Sequence, residues 1–595
     1  MSETLTGGNP AQGVPTPPTQ DDPSGRKWTW EEDGCTVLRT NARTGPGCHD
    51  NCGVLMYVRD GVLEKIEGDP ENPYNQGRLC PRCLAFKEML YHEDRLKYPM
   101  KRAKEDRGKN AFERITWDEA YDIIEREMKA VIEKYGNEAI WVTQGTGRDI
   151  NGYGPLMAQY LGTPNYGTGF LSGQACYAPR IFSTALKAGG LFVCDYAQFF
   201  PDRYDDPRWE APEYILVWGN NPVVANSDGT LGHWIVESMK RGSKLMVMDP
   251  TLTWVAGKAD VWFQVRPGTD AALALGMLNV IINEDLYDHD FVENWCYGFE
   301  ELAERVNEYP LELVEKQTWV PAEEIRTAAR IMANAHPMCI LWGLAIDQNK
   351  NGVQLSQAFI VLAALAGSID RPGGLTLGPP SALLGKWRME QRGAMADDVW
   401  QKRIGAAAWP GLSTGMATTQ PDETLNTMET DQPYALKMGW FNSSNFLTPT
   451  CSAQPKRWHK ALQKLEFVVV QDLTMTPTAM AVGDYFLPMA TWAEHNGIVL
   501  THYGRNTVFM GPMNKALQVG ECKSDVEICL MFGQRLNPSW WPWYKPADGK
   551  SLDLDALAVA VEDFYSDQLK ELGMDWNQFR EEGLYQPGAH GFEYE

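Results

Sequence analysis

The chain has 595 residues, of which 44% are apolar and 22% charged, the balance of a soluble globular protein, and its length suggests about four domains. Its 78 acidic residues outnumber its 54 basic ones, and a net charge of −24 repels phosphate backbones and so excludes a nucleic-acid partner. No run of about 18 apolar residues occurs, which excludes a membrane-spanning helix.

The chain opens on "MSETLTGGNPAQGVPTPPTQDDPSGRKW". This stretch has neither the apolar core of a secretion signal nor an Arg-Arg pair, and its Pro, Gly, Ser and Thr content predicts a disordered tail over 1–34. A cytoplasmic location is therefore expected. In a reducing compartment clustered cysteines point to metal rather than to disulfides.

Such a cluster follows. Cys35, Cys48, Cys52, Cys80 and Cys83 are five of the chain's 12 cysteines. Zinc would take the close pairs Cys48/Cys52 and Cys80/Cys83. An iron–sulfur cluster would take three thiolates near one another in sequence and one distant. Some of the five could also be small core residues. Spacing alone leaves these readings open. The text between them, "GVLMYVRDGVLEKIEGDPENPYNQGRLC", predicts a β-hairpin with an Asp-Gly turn and then a loop to Cys80.

Next, "TWDEAYDIIEREMKAVIEKYG" predicts a helix capped by Thr116, with Glu119 closing the capping box and Gly136 stopping it. "AIWVT" (139–143) predicts a strand. The runs "YILVWGNNP" (214–222), "KLMVMDP" (244–250), "CILWGL" (339–344) and "EFVVVQD" (466–472) predict parallel strands covered on both faces. Ligands of such sheets sit beyond the strands' carboxyl ends, where Gly219, Asn220, Asn221, Asp249, Gln471 and Asp472 fall. The stretch 375–440 lacks periodicity and predicts long loops.

Taken in order, these words resemble the molybdopterin-dependent oxidoreductases, the superfamily of dimethyl-sulfoxide reductase, formate dehydrogenase and nitrate reductase. "DRLKYPMKR" (94–102), "RITWDEA" (114–120), "VRPGTDAALALGMLNVIINEDLYDHDFVENW", "GSIDRPGG" (367–374) and "VVVQDLTMTPTAMAVGDYFLPMATWAE" all carry the likeness. It implies a multidomain α/β architecture with doubly wound parallel sheets. The expected domains are an iron–sulfur β-domain over 35–100, a pterin-binding domain over 101–175 with 375–480, and a dinucleotide-binding domain over 176–374. A final part, 481–595, would return to the cluster domain.

The implied cofactors are a [4Fe–4S] cluster and a bis-pyranopterin guanine dinucleotide carrying molybdenum or tungsten. The family holds its cluster on a Cys-x2-Cys-x3-Cys framework and a fourth Cys about 27 residues on. Cys48, Cys52 and Cys80 match the last three positions. Cys35, reached across an insertion, is expected as the first ligand. Cys83 is its rival and stands where the family usually has Gly. Arg82 matches the family's cation between cluster and pterin.

On the metal itself the matching ligand is Cys176, in "GTGFLSGQACYAPR". One dinucleotide would lie on Gly219, Asn220, Asn221, Asp249, Thr253, Gly268 and Asp270. The other would lie on Asn442, Ser444, Asn445, Gln471, Asp472, Thr476 and Asp484. Cys194, Cys296, Cys339, Cys451, Cys522 and Cys529 match no ligand position and are read as core.

The branch it most resembles includes acetylene-hydratase-like and aromatic-hydroxyl-processing enzymes. There an Asp follows the second cluster Cys; here that residue is His49, a candidate acid or base, and Asp50 comes one later. The implied activity is a redox reaction on a small organic or hydroxylated aromatic compound, with electrons relayed through the cluster. The alternatives are a hydratase without net redox, or a non-catalytic electron-transfer subunit. Family chains usually end in a barrel-like domain, which would begin where this sequence stops. A partner subunit carrying it, a truncated chain and an inactive scaffold are the open accounts; the first is expected, beside an electron-transfer subunit.

Overall fold

The structure, a computed structural model, describes residues 28–44, 48, 50–145, 153–168, 178–197, 202–225, 229–378, 392, 395–410, 418–450, 454–500 and 508–586. His49, Cys176 and Cys451 lie outside the described residues, as does much of the stretch read as long loops. The described residues form two compact units. One draws on 1–173, 383–500 and 509–585, the other chiefly on 174–382.

The first unit begins with an antiparallel sheet of β1 (Thr29–Glu32), β2 (Cys35–Ala42), β3 (Cys52–Arg59) and β4 (Val62–Gly68), paired in that order. The β3–β4 turn is Asp60-Gly61, with φ of +49° and +76°. Two positive φ values give a turn whose twist matches the strands it joins, and Asp-Gly is the pair that adopts them most cheaply. Two short helices follow, α1 (Pro81–Leu84) and α2 (Phe86–Leu90).

One face of this sheet, through Leu38, Val54, Met56 and Leu63, packs on Phe86 and Leu90 and on Trp492, Val499, Met513 and Leu517. The small sheet thus completes its core with residues more than 400 positions away. A buried ion pair fixes the junction. Arg95, 1% exposed, pairs with Glu494, 0% exposed, and also donates to the carbonyls of Leu90 and Met489. Glu494 accepts in addition from Thr491 and from the Val519 backbone.

Continuing along the chain come β5 (Met100–Lys101), β6 (Glu113–Arg114), α3 (Trp117–Tyr135), β7 (Ile140–Gln144), α4 (Tyr153–Leu161) and β8 (Tyr166–Thr168). Thr116 caps α3, and Glu119 closes its capping box. The second unit holds β9 (Leu191–Cys194), β10 (Tyr214–Trp218), β11 (Lys244–Met248), β12 (Val261–Phe263), α5 (Asp270–Asn283), β13 (Met338–Trp342), α6 (Gly352–Leu365) and β14 (Leu375–Gly378). Its main sheet is fully parallel, in the order β12-β11-β10-β13. Every residue of β13, and all but the first of β10 and β11, is buried, so these strands read as unbroken apolar runs.

The chain then returns to the first unit through β15 (Met438–Asn442), β16 (Phe467–Asp472), α7 (Pro477–Val482), β17 (Tyr485–Pro488), β18 (Gly497–Leu500), β19 (Val508–Met513), α8 (Asp525–Leu536) and β20 (Leu584–Gln586). The large sheet runs β6-β5-β17-β16-β15-β7-β8, and β17, β16, β15, β7 and β8 are mutually parallel. Among the described residues, no helix is long and apolar enough to cross a membrane.

Glu494→Ala would leave the Arg95 guanidinium buried without its carboxylate. Removing one member of a buried pair costs about 3–5 kcal/mol. A lowered urea midpoint for this unit is the expected result, measured by circular dichroism across a denaturant series.

Candidate functional site

Cys52 opens β3 and pairs with Ala42, the last residue of β2. Cys48 lies in the connection between those two strands. Cys80 caps the N-terminus of α1, and Cys83 sits in its only turn, with its backbone N–H donating to the Cys80 carbonyl at 3.1 Å. Residues three apart on a helical turn share a face, and the Cys83 thiol hydrogen-bonds the Cys80 sulfur. Cys52 feels both Cys48 and Cys80 electrostatically, and Cys83 feels both Cys52 and Cys80. Four thiols therefore converge.

Their protonation follows from their surroundings. Burial pushes the Cys48 thiol up to about 11, with Asp50 adding to it. Burial likewise pushes Cys52 well up, reinforced by Asp50, Cys48 and Cys80. Cys80 is pulled down to about 5, first by the bond from the Cys83 thiol and then by the backbone N–H groups of Cys83 and Arg82 and the Arg82 guanidinium. Cys83, the donor in that bond and fully enclosed, is pushed up.

Burial opposes the Arg82 charge, but the Cys48 and Cys80 sulfurs outweigh it and hold its pKa above the usual value. Arg43, buried, donates to the Cys48 carbonyl at 3.0 Å. Asp50, also buried, accepts from the Tyr74 hydroxyl at 2.7 Å. Four thiols with two adjacent guanidinium groups form a donor set suited to an anionic iron–sulfur cluster. Among the described residues, no three His, Cys, Asp or Glu side chains close on the geometry of a single metal ion.

Cys35 is not among the four, which corrects the expectation that it supplies the first ligand. It stands at the start of β2, seven residues from Ala42 and so about 23 Å from Cys52 at the usual strand rise. Its sulfur lies 3.4 Å from Arg59 Nη2 and 3.5 Å from Glu64 Oε2, at the far end of the sheet. The seven residues after Cys35 complete the strand β2, and a strand carries its two ends apart.

In the second unit, Gly219, Asp249 and Gly343 follow directly on β10, β11 and β13, at their carboxyl ends. A Cβ on Gly343 would run into the Gly219 carbonyl, so only Gly lets the two strand ends approach this closely. Asn220 Nδ2 lies 3.4 Å from the Trp342 carbonyl. Asn221 Oδ1 is buried with no hydrogen-bond partner. Burial raises the Asp249 carboxyl, which accepts from the Thr251 N–H. Beside it a cavity of about 350 Å³ is lined by Pro250, Trp262, Gln264, Trp319 and Glu324.

Three more of this group are spent locally. Thr253 accepts from the Ala256 N–H at 3.1 Å. Gly268 turns the chain at φ +84°. Asp270, the first residue of α5, accepts from Trp218 Nε1 at 2.9 Å and from Asn349 at 3.1 Å.

In the first unit Asn442 and Gln471 pair across the carboxyl ends of β15 and β16, and Asp472 follows. Ser444, two residues past β15, has a buried hydroxyl with no partner. Asn445 Oδ1 accepts from the Thr478 N–H and hydroxyl. Thr476 caps α7 through the Ala479 N–H. The Gln471 amide is taken up inside the protein, accepting from Trp440 Nε1 and donating to Asp525.

Asp484 does not belong with these residues, which is a second correction. It precedes β17, opposite Val468, and so lies at the amino end of the sheet. There its carboxylate accepts from the Val468 N–H and pairs with Arg107. In sequence it followed "TPTAMAVG" at a plausible loop position, but α7 carries the chain back across the sheet before Asp484 is reached. Unsatisfied buried atoms at the carboxyl edges, Asn221 Oδ1 and Ser444 Oγ, fit a polar ligand such as a dinucleotide.

The pattern of the molybdopterin oxidoreductase family matches residues 95–534. That of the molybdopterin oxidoreductase Fe4S4 domain matches residues 45–92, a span that holds Cys48, Cys52, Cys80 and Cys83 and leaves out Cys35. Acetylene hydratase of Syntrophotalea acetylenica is 33% identical over 477 residues, 75% of this chain and 62% of that one. Dimethyl sulfoxide reductase DmsA of Escherichia coli is 29% identical over 87% of this chain and 65% of its own. The thiosulfate reductase subunit PhsA of Salmonella typhimurium is 26% identical over 83% and 64%. This chain thus spans less than two thirds of each of these curated relatives. The solved acetylene hydratase from Pelobacter acetylenicus superposes with a TM-score of 0.76 at 28% identity, over 91% of this chain and 73% of that one.

Two variants separate ligand-facing groups from structural ones. Ser444→Ala removes an unsatisfied buried hydroxyl, so the cofactor-free protein should keep its urea midpoint or gain about 1 kcal/mol, while molybdenum or tungsten retention falls. Asp484→Asn should do the reverse, losing about 3 kcal/mol or more by weakening the hold on Arg107 and leaving metal retention per folded chain unchanged.

Proposed function

The chain belongs to the molybdopterin oxidoreductase family, and from that premise we propose that it is a molybdenum- or tungsten-dependent bis-pterin oxidoreductase acting on a small organic or hydroxylated aromatic compound. The observation that carries the redox reading is the position of Arg82, one residue after the Cys80–Pro81 cap and in electrostatic contact with two of the four clustered sulfurs. A guanidinium there stabilises an anionic cluster and offers donors to a pterin edge. When bound, the pterin-held metal supplies the redox chemistry.

The roles of this chain's own residues follow from that. The four cysteines hold the cluster. Gly219, Asn220, Asn221 and Asp249 cradle one dinucleotide, and Asn442, Ser444, Asn445, Asp472 and Thr476 the other. Cys176 is the metal ligand, and His49, next to Cys48 in sequence, the candidate acid or base. An electron-transfer subunit is the expected partner.

A hydratase of the same fold is the second reading. Supporting it are the 33% identity to an acetylene hydratase and the buried carboxylate of Asp50, two residues after Cys48. The two part on electron balance, because a hydratase consumes no reductant.

Metal content of anaerobically purified protein, by mass spectrometry, is the first test. About four iron with about one molybdenum or tungsten per chain is expected; zinc without iron would sink the assignment. Reduced viologen should then be consumed in step with product, and turnover without its consumption would select the hydratase.

A further inference from the structure

We propose that the fourth cluster ligand has moved along the sequence in this chain, so that Cys83 takes the place of the family's first cysteine. The usual framework puts that first ligand three residues before Cys48, and position 45 is Gly. Thr44, next to it, has its hydroxyl oxygen 3.2 Å from Cys83 Sγ. The thiol of Cys83 therefore lies against the residue that immediately precedes the usual ligand position in sequence.

Three further observations agree. Cys83 sits on the α1 turn with Cys80, so the pair enters the site from one rigid element. Its sulfur hydrogen-bonds that of Cys80 and feels Cys52, as a fourth corner of the same group would. The remaining candidate, Cys35, is at the far end of β2. The resulting set is Cys48-x3-Cys52 and Cys80-x2-Cys83, two pairs in place of a run of three and a distant one. Each thiol loses its proton on binding iron. Thr44 then donates to the Cys83 thiolate. A hydrogen bond to a ligand sulfur favours the more negative, reduced cluster and raises its potential.

The proposal rests on the cluster, not on the substrate or on the reaction. Iron content and electron paramagnetic resonance of the reduced full chain test it. Cys83→Ser should lose the [4Fe–4S] signal and at least a quarter of the iron, and Cys35→Ser should keep both. Adding Gly45→Cys to Cys83→Ser should restore them. Thr44→Val should lower the cluster potential, since its hydroxyl reaches a ligand only if position 83 is one.

Should Cys83→Ser fail to fold, alkylation of the wild-type protein decides. Cys83 is expected to become reactive together with Cys48, Cys52 and Cys80 when a chelator strips the iron. A Cys83→Ser protein with full iron and an unaltered signal would overturn the proposal, as would a Cys83 that stays protected after iron removal or an unchanged potential in Thr44→Val. A wild-type protein without iron would instead remove the cluster reading itself, so the two failures are distinguishable.

Discussion

Parallel strands all point one way, and that constraint organises both units. A strand that must re-enter its sheet in the same direction needs a crossover, and the crossover leaves from the carboxyl edge. In the second unit this edge gathers Gly219, Asp249 and Gly343 from stretches spread over more than 120 residues. In the first it gathers Gly145, Asn442 and Asp472 from still further apart. Loops that leave one edge are free to carry polar groups, because the strands behind them hold the core. The same constraint explains Asp484, for a residue that enters a parallel strand is on the opposite edge from one that leaves it.

The cluster domain obeys a different rule. Its sheet is antiparallel and small, and it buries one face only by borrowing Trp492, Val499, Met513 and Leu517. Thiols in such a place are costly to ionise: burial raises Cys48 and Cys52, and Asp50 opposes them further. Arg82 and Arg43 work the other way. The site is thus poised between a low-dielectric interior, which favours neutral thiols, and two guanidinium groups, which favour a bound anion.

Much of this could be read from the residues. The capping box at Thr116 and Glu119, the Asp-Gly hairpin and four of the apolar strands come directly from local chemistry, because caps, turns and buried runs are set by near neighbours. The polar residues after those strands were legible for the same reason. Cys35 and Asp484 were not, since each was judged by its distance along the chain. Twelve residues wound into a loop could bring Cys35 to Cys48, while a chain drawn out as β2 over Cys35–Ala42 sets Cys35 at the far end of the strand. Arg95 and Glu494, Arg107 and Asp484, and the contact of Thr44 with Cys83 left no local signal at all, because their partners lie 39 to 399 positions away.

The borrowed core also sets an order of events during synthesis. Cys83 and the small sheet leave the ribosome first, while Trp492 to Leu517, which complete their core, come more than 400 residues later. At about 5–20 residues per second that interval is roughly 20–80 s. For this time the nascent chain carries Cys83 without the wall that later shelters it. The wall around Cys83 closes only once residue 517 has been made, and so iron and sulfide can be sealed in there only after that point.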